Sequence, residues 1–503
     1  MSSSYAKRWI ILAILSSALF LIVTDMTVLY TALPTLTQAL GATASQKLWI
    51  VNTYALVAAG LLLGAGTLGD RLGHKRLFVS GLVVFGLASL LAAFSPTPEV
   101  LILARALLAV GAALMMPSTL SIVRLIFTDE QERAVAIGVW ASVASGGAAF
   151  GPVLGGFLLE HFWWGSVFLI NVPIVLVALL LAWLLIPRMA GDTSRHWDGV
   201  GSFQVMVGLI ALAYAIKSMG LQASSWSEVG LATALGVACL VVFTRRQRRL
   251  AQPMLDFAIF RTPGFLASVL AAVVAAATLM GLQLVLSQRL QLVQALSPLQ
   301  TSMFMLPLPL ASLVVGPLAG AWLHRVGAMR MLIGALLLAA VGIGGLLLWR
   351  DASAWVQGSC LVVLGLGVGA VISAASTTLM NSIAEQQAGM AASVEEVSYE
   401  LGGALGVTVV GSLMSAVYGS HMAAQAWLSP DAQVADSLEA ALRAAQTLPG
   451  SAQASLVAVA HAAFESAYAA SLGLLVALLV MVAAWVYWKN GAGAANAAQV
   501  REC

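Results

Sequence analysis

The side chains of this sequence with the clearest chemical potential are charged groups inside long apolar segments. Asp25 lies in LIVTDMTVLYTALP, and Arg105 lies in LILARALLAVGAALMMP. An ionised group is costly in a lipid bilayer, so it normally faces the interior of a helical bundle and marks an ion path. We therefore predict that Asp25 exchanges protons, with a purely stabilising pair to Arg105 as the alternative. Arg105 would favour the ionised form of a neighbouring carboxylate, and a structural role for it is equally open.

Three further acids lie together in MAASVEEVSYELGGALG, namely Glu395, Glu396 and Glu400. Glu396 and Glu400 are one helical turn apart and share a face. Two carboxylates so close repel each other, so one of them can hold a proton near neutral pH, and the pair can attract a lipophilic cation. Glu395 points elsewhere and is interpreted as structural. The alternative is that Glu395 and Glu396 are merely solvated at a mouth of the protein.

The composition indicates which elements position these groups. The 503 residues are 60% hydrophobic and 9% charged, with a mean hydropathy of +0.95, whereas a soluble protein carries about 25% charged residues. This composition predicts a polytopic α-helical membrane protein, because a helix satisfies its own backbone in lipid. No extended Lys/Arg tract indicates nucleic-acid binding. The three cysteines form neither a metal-ligand spacing nor a disulfide framework.

The expected topology follows from counting apolar runs and basic loops. Fourteen segments approach the length of about 20 residues that a membrane span needs, and an even number places both termini on one side. On that side lie eighteen of the 24 Lys and Arg residues, against five on the other, so the positive-inside rule puts both termini in the cytoplasm. No A-x-A site follows the first apolar run, which predicts a retained span in a multi-pass protein of the bacterial cytoplasmic membrane.

An internal repeat divides the chain. GTLGDRLGHKRL at 66–77 aligns with GAWLHRVGAMRM at 320–331, with two glycines and two arginines in register. Repeated hydrophobic halves indicate a secondary transporter. The predicted parts are an N-terminal six-helix half at 1–190, two additional helices and a basic linker at 191–250, and a C-terminal six-helix half at 251–503. Within the last part, a less apolar segment at about 418–464 is expected outside the membrane as an amphipathic helical hairpin, with a flexible loop as the alternative.

The hairpin behind the second span, LLLGAGTLGDRLGHKRL, concentrates charge between two glycines. Its G-x-L-x-D-R-x-G-x-K-R pattern resembles the loop between the second and third helices of the major facilitator superfamily. That resemblance implies an all-α membrane protein with the major facilitator fold and a cytoplasmic gate. The gating residues it implies, together with a residue of the next cytoplasmic loop, are Gly66, Asp70, Arg71, Gly73, Arg76 and Arg133.

A glycine-rich motif favours export over uptake. GGAAFGPVLGG at 146–156 resembles the antiporter motif G-x₄-G-P-x-x-G-G, which is associated with exporters of this superfamily. Small residues let helices pack closely, and an internal proline can bend a span. The motif positions are Gly146, Gly151, Pro152, Gly155 and Gly156.

Two other patterns refine the resemblance. The Asp25 stretch is similar to the first-helix motif of drug:proton antiporters with fourteen helices, and E-E-x-x-Y-[DE]-L-G is similar to the QacA-type quaternary ammonium exporters. The resemblance implies that proton coupling rests on Asp25, Arg105, Glu396 and Glu400. Two departures matter: Leu108 and Ala109 replace the polar Gln and the Gly expected after the Arg, and the tenth span offers Ser312 but no carboxylate. The second departure argues against efficient export of divalent cations.

Aromatic and methionine side chains are candidates for binding a drug, because π faces hold organic cations and Met adapts to varied shapes. For each of them plain packing is the alternative, and Trp49 and Tyr54 also fit an aromatic belt. The candidates are Tyr30, Trp49, Tyr54, Met115, Met116, Trp140 and Tyr399.

The sequence thus predicts a monomeric proton-coupled exporter of lipophilic, mainly cationic drugs, dyes and antiseptics, with small cations, protons and the lipid bilayer as its partners. No cofactor and no metal are expected, and the lack of a Walker motif argues against ATP as the driving force. One alternative is an exporter of an endogenous metabolite or siderophore. A membrane enzyme or receptor is disfavoured, because no catalytic constellation lies in the spans.

Overall fold

The computed structural model of the chain describes residues 2–42, 44–188, 191–192, 198–219, 226–250, 253, 255, 257–383, 388–423, 438–446 and 449–502. Every regular element in these ranges is helical. The α-helices are α1 (Ser2–Ala39), α2 (Ala44–Leu72), α3 (His74–Ala93), α4 (Pro98–Ile126), α5 (Glu130–His161), α6 (Ser166–Leu169), α7 (Asn171–Leu185), α8 (Gly199–Met219), α9 (Trp226–Gln247), α10 (Pro263–Gln288), α11 (Pro298–Met305), α12 (Pro307–Val326), α13 (Ala328–Leu348), α14 (Ala354–Asn381), α15 (Ala388–Ala423), α16 (Leu438–Ala445) and α17 (Gly450–Glu502).

Several helix starts follow from local sequence chemistry. The Thr97 side chain accepts a hydrogen bond from the Val100 amide at the start of α4, and Asp129 caps α5 through the Glu132 amide at 2.8 Å. Ser297 opens α11 with a reciprocal capping box. Such caps satisfy backbone donors that a helix leaves free at its start, so the polar residues between the apolar runs determine where these helices begin.

The membrane-spanning character of the chain is confirmed. Twelve of the described helices are long and apolar enough to cross a bilayer, and α2 gives a thirteenth if its two parts, bent by 50° between Thr53–Leu62 and Gly64–Leu72, count as one span. The expected seventh span coincides with α8, whose described apolar stretch, Gly199–Leu212, is shorter.

The same packing order occurs twice. In the first part of the chain α1 packs against α5 and α7, while α2 and α3 pack against α4; in the second, α10 packs against α15 and α17, while α12 and α13 pack against α14. The two sets meet through α5 with α12 and through α2 and α4 with α15, and α8 and α9 pack together beside α2. The domain boundaries given above stay predictions.

The internal repeat extends to the backbone. Gly73 precedes α3 with φ 93° and ψ 128°, and Gly327 precedes α13 with φ 87° and ψ 139°. A positive φ is readily adopted by glycine and strained for other residues. The two aligned glycines therefore make the same tight turn between consecutive helices.

The segment at 418–464 is more helical than expected at its two ends. α15 continues to Ala423, and α17 begins at Gly450 and runs on without a break, because alanine-rich sequence favours helix. Between them α16 packs on α17 and buries Leu438, which agrees with an amphipathic hairpin. Residues 424–437 and 447–448 lie outside the described residues.

A polar cluster joins the start of α8 to the end of α9. Asp198 accepts hydrogen bonds from Arg246 Nε at 3.0 Å, from Gln247 Nε2 at 2.9 Å and from the Gly201 amide at 2.9 Å. Burial alone would raise the pKa of the Asp198 carboxyl, but the hydrogen bonds from Arg246, Gly201 and Gln247 hold it below its usual range. This pair lies just before the apolar stretch of α8.

Candidate proton and substrate site

The two charged groups of the first-half spans form an ion pair. Asp25 of α1 and Arg105 of α4 are 3% and 2% exposed, and Arg105 Nη1 lies 2.6 Å from Asp25 Oδ2. Arg105 Nε also donates to the backbone oxygen of Ile50 in α2 at 3.3 Å. The pair therefore links three helices, and the geometry accommodates both the proton-exchange and the stabilising interpretation of Asp25.

Two polar residues that the sequence analysis overlooked complete the surroundings of Asp25. Asn171, the first residue of α7, donates from Nδ2 to Asp25 Oδ1 at 3.0 Å and to Ser89 Oγ of α3 at 3.3 Å. Asn171 is 1% exposed and Ser89 is fully buried. The available signal was a lone amide in the apolar run SVFLINVPIVLV. Both carboxylate oxygens of Asp25 thus accept a hydrogen bond, one from Arg105 and one from Asn171.

Tyr54 of α2 lies beside the ion pair. The Arg105 guanidinium carbon is 4.6 Å from the centroid of the Tyr54 ring, an arrangement in which the cation is attracted to the π face. The Tyr54 hydroxyl is buried without a hydrogen-bond partner in the described part of the chain. Its phenol also lies within electrostatic reach of Glu396 and Glu400 on α15. Tyr54 therefore contacts the ion pair from α2, a helix that also packs on α15.

The acids of α15 are buried. Glu395 is 0% and Glu396 is 3% exposed, while Glu400 is half-buried. Glu395 Oε1 accepts hydrogen bonds from Ser376 Oγ of α14 and, at 3.1 Å, from the Tyr399 hydroxyl. The interpretation of Glu395 and Glu396 as solvated mouth charges is wrong, because the packing of α15 against α4, α10 and α14 covers them.

The antiporter motif lies where α5 meets α1. A Cβ atom added to Gly151 would overlap the Thr27 side chain and would lie 3.2 Å from the Val28 amide nitrogen. One at Gly146 would lie 3.2 Å from Leu313 of α12, and one at Gly156 would reach Leu299 only at 4.0 Å. Gly151 therefore permits the close approach of α5 to the turn of α1 that carries Asp25.

The remaining motif residues occupy the same helix. Pro152 lies inside α5, which continues through it without a break, and Gly155 is buried. Their functional roles stay predictions.

Three drug-binding candidates on α4 and α5 pack inside the first half. Trp140 Nε1 donates to Thr119 Oγ1 at 3.0 Å. Met115 is fully buried against Gly81 of α3, where an added Cβ would meet its side chain at 2.6 Å. Met116 is half-buried against the same core. These contacts show helix packing, and their role in binding a substrate stays a prediction.

The other aromatic candidates are spread over different surroundings. Trp49 is 44% exposed and stacks on Tyr214 of α8, with ring centroids 6.2 Å apart. Tyr399 is the hydrogen-bond donor to Glu395. The side chain of Tyr30 lies outside the described residues. Of the seven candidates, Tyr54 and Tyr399 are those with a described contact to the charged groups.

The charged hairpin between α2 and α3 makes an internal pair that the sequence analysis did not anticipate. His74 Nε2 lies 3.1 Å from Asp70 Oδ1, and both side chains are buried. The Asp70 backbone oxygen accepts a hydrogen bond from the Asp192 amide at 2.9 Å, so the segment after α7 docks on this hairpin. Of the other predicted gate residues, Gly66 is buried, Arg71 is half-buried and Arg76 is exposed.

A set of contacts, here called the arginine clasp (Arg124, Arg133, Met380, Asn381 and Ile383), joins the two sets of helices at one end. Arg124 of α4 donates to the backbone oxygens of Met380 and, at 2.5 Å, of Ile383 at the end of α14. Arg133 of α5 donates to Asn381 Oδ1 at 2.8 Å. The clasp therefore links α4 and α5 to the end of α14. Sequence analysis proposed Arg133 but missed Arg124, which bonds carbonyls and so leaves no pairing signal.

The fold and the buried charges together define a membrane transporter built from a repeated helical unit, and comparison places it in a family. The Major Facilitator Superfamily model matches residues 15–407, and the chain belongs to that family. It is a multi-pass transporter and not an enzyme, as predicted.

Relatives extend the likeness along almost the whole chain. The multidrug efflux pump LfrA of Mycolicibacterium smegmatis is 38% identical over 95% of each chain. The methyl viologen resistance protein SmvA of Salmonella typhimurium is 36% identical over 96% of this chain and 98% of its own. Among solved structures, the human organic anion transporter MFSD10 has a TM-score of 0.61 at 15% identity, covering 94% of this chain and 99% of that one, which shows the shared fold.

Proposed function

We propose that the protein exports lipophilic, mainly cationic drugs, dyes and quaternary ammonium antiseptics in exchange for protons. The observation that carries the proposal is the buried Asp25–Arg105 pair beside Tyr54 of α2, a helix that packs on α15 with its acids. Negative groups inside a membrane protein mark ion paths, and α15 lies at the contact between the two repeated halves. Relatives named for multidrug efflux and methyl viologen resistance support an exporter.

Exchange follows from competition for negative charge. A proton on Asp25 removes the charge that Arg105 and Asn171 bind, so the contacts among α1, α4 and α7 weaken. A cation near Glu396 and Glu400 needs at least one of them ionised, because charge attraction is strong in a low-dielectric site. Proton and drug then favour different arrangements of the halves, and a ligand shifts an equilibrium only by such a difference in affinity. Rocking of the two halves would carry each in turn across the membrane.

The proposed orientation places both termini on the cytoplasmic side of a bacterial inner membrane, in a protein that acts as a monomer. Arg124 precedes and Arg133 follows the loop between α4 and α5, where the positive-inside rule predicts cytoplasm. Closure of this end by the arginine clasp then corresponds to an inward-closed arrangement, which opens when the clasp releases.

The test is ethidium efflux from an efflux-deficient bacterial host that expresses the chain, compared with the same host carrying an empty vector. We expect energised efflux that a protonophore stops while cellular ATP is maintained. Ethidium should be exported better than methyl viologen, a dication, because the tenth span lacks a carboxylate. Efflux that persists without a proton gradient would overturn proton coupling. A broad drug and dye panel without any effect would instead favour an exporter of an endogenous metabolite or siderophore.

A further inference from the structure

We propose that Asn171 is a positioning residue that keeps Asp25 ionised and makes protonation of Asp25 depend on a rearrangement of α7. This inference rests on the proposed proton exchange at Asp25. It assigns a role to a residue that neither the motifs nor the charged-residue pattern of the sequence indicated.

The position of Asn171 in the fold is suited to such a role. It is the first residue of α7, directly after Ile170, where the chain passes from the short α6 into α7. Its amide nitrogen bonds Asp25 of α1 at 3.0 Å and Ser89 of α3 at 3.3 Å. A single buried amide therefore ties α7 to two other helices, at the point where α7 begins.

The hydrogen-bond donors around Asp25 explain why its contact with Asn171 is sensitive to protonation of the carboxylate. Arg105 Nη1 donates to Asp25 Oδ2, and Asn171 Nδ2 donates to Asp25 Oδ1. A proton on the lone pair of Oδ1 that Asn171 now occupies would face the N–H of Asn171, so for protonation there the hydrogen bond must break or the amide must turn over. Arg has donors only, whereas an Asn amide also has an oxygen that accepts. Asn171 can thus serve both protonation states of Asp25, but only after it moves.

The charges around Asp25 do not replace this function. The other titratable groups near Asp25 are Arg105 on α4 and Tyr54 on α2, with Glu396 and Glu400 of α15 beyond Tyr54. Arg105 donates but cannot accept, and the Tyr54 hydroxyl makes no hydrogen bond to Asp25 in the described part of the chain. The amide of Asn171 is therefore what links the proton on Asp25 to the position of α7.

The expected measurement is a shift in pH dependence. Asn171→Ala removes a donor to the carboxylate, so Asp25 should retain its proton to higher pH. Purified protein in nanodiscs should bind tetraphenylphosphonium with a pH midpoint about one unit higher than wild type, the shift that corresponds to a tenfold change in proton affinity. Ser89→Ala, which leaves the bond to Asp25 in place, should move the midpoint less in the same direction.

Two controls separate positioning from packing. Val175→Ala truncates a buried apolar side chain of α7 that contacts Gly86 of α3, and it should lower stability without moving the midpoint. Asn171→Ala in an Asp25→Asn background should cause no further shift. An unchanged midpoint in both Asn171→Ala and Asn171→Ser, or an equal shift in Val175→Ala, would overturn the inference. Failure of the proton-exchange function itself would look different, because Asp25→Asn alone would then keep the wild-type pH profile.

Discussion

The buried acids of the two halves differ in the groups that bond them. Asp25 in the first half is bonded by a guanidinium and an amide. Glu395 in the second half accepts only from hydroxyl groups, and Glu396 Oε1 is buried without a partner in the described part of the chain. The two sets lie on helices that hold different places in the repeated packing, since α1 corresponds to α10 and α15 corresponds to α5.

The difference indicates a division of labour. Burying an ionised carboxylate is costly unless a cation and hydrogen bonds compensate it. Asp25 has both, so it can stay ionised in the closed bundle. Glu395 and Glu396 lack a cation among the described residues, so at least one is expected to carry a proton until a cationic substrate arrives. The repeated fold thus presents two different chemical states of the same functional group.

Removal of the paired acid should have the largest effect. Asp25→Asn keeps the shape but loses the exchangeable proton, and it leaves the Arg105 charge buried without its partner, a situation that costs about 3–5 kcal/mol. We expect ethidium efflux at the level of cells without the protein, measured at equal membrane abundance. The matched control is Asp198→Asn, in a carboxylate–arginine pair outside the spans, which should transport normally. Wild-type efflux in Asp25→Asn would show that transport does not depend on a proton at Asp25.

Packing beside Asp25 should matter nearly as much. Gly151→Ala forces a methyl group onto Thr27, two residues after Asp25, and overpacking costs about 1–3 kcal/mol. Efflux should fall strongly while the protein still inserts in the membrane. Gly156→Ala, in the same motif, has room for its methyl group and should behave like wild type. If both variants export equally, the motif does not act through the contact between α5 and α1.

The acids of α15 should be separable by substrate charge. Glu400→Gln is expected to weaken cationic substrates more than neutral ones, by roughly tenfold in apparent affinity, the effect of a charge interaction of about 1.4 kcal/mol. Glu396→Gln should instead move the transport optimum to lower pH, because it removes the repulsion that favours a proton on Glu400. Identical substrate and pH profiles for the two variants would reduce both residues to packing.

A smaller effect is expected at the arginine clasp, which acts on the equilibrium between conformations. Arg124→Ala removes two hydrogen bonds to the end of α14, so the open form of that end should become roughly tenfold more populated, the shift that corresponds to one hydrogen bond to a charged group of about 1.5 kcal/mol. Electron–electron distance measurements between spin labels at Thr128 and Ser382, in a cysteine-free background, report the opening. Arg249→Ala, at an exposed arginine after α9, is the control and should leave the distances unchanged.

The smallest effect should come from the half-buried pair of Asp198 and Arg246. The pKa of Asp198 lies below its ordinary value, so the pair contributes stability above about pH 4 and loses it as pH falls through the folded-state pKa. Arg246→Ala should lower the melting temperature slightly at pH 7, and the difference from wild type should shrink as the pH drops below 4. A difference that is independent of pH would assign the effect to packing. Transport should be unaffected. That result would distinguish the Asp198–Arg246 pair from the fully buried Asp25–Arg105 pair.

The sequence by itself determined the class of the protein. Its apolar content, the repeated G-x₄-R-x-G pattern and the lone charges at Asp25 and Arg105 need no tertiary information, because the cost of polar groups in lipid applies to each segment separately. The turn at Gly73 was also foreseeable, since a glycine between charged residues marks a tight turn.

The tertiary structure alone decided which residues meet. Asn171 bonds both Asp25 and Ser89 from a helix far along the chain, Glu395 accepts a hydrogen bond from α14, and Arg124 bonds carbonyls of the other half. In a long apolar helix a single polar residue has no periodic pattern around it, so its orientation and its partner depend on the neighbouring helices. Hydrophobicity is non-directional and specifies that these helices cluster; close packing through residues such as Gly151 selects which polar groups face each other.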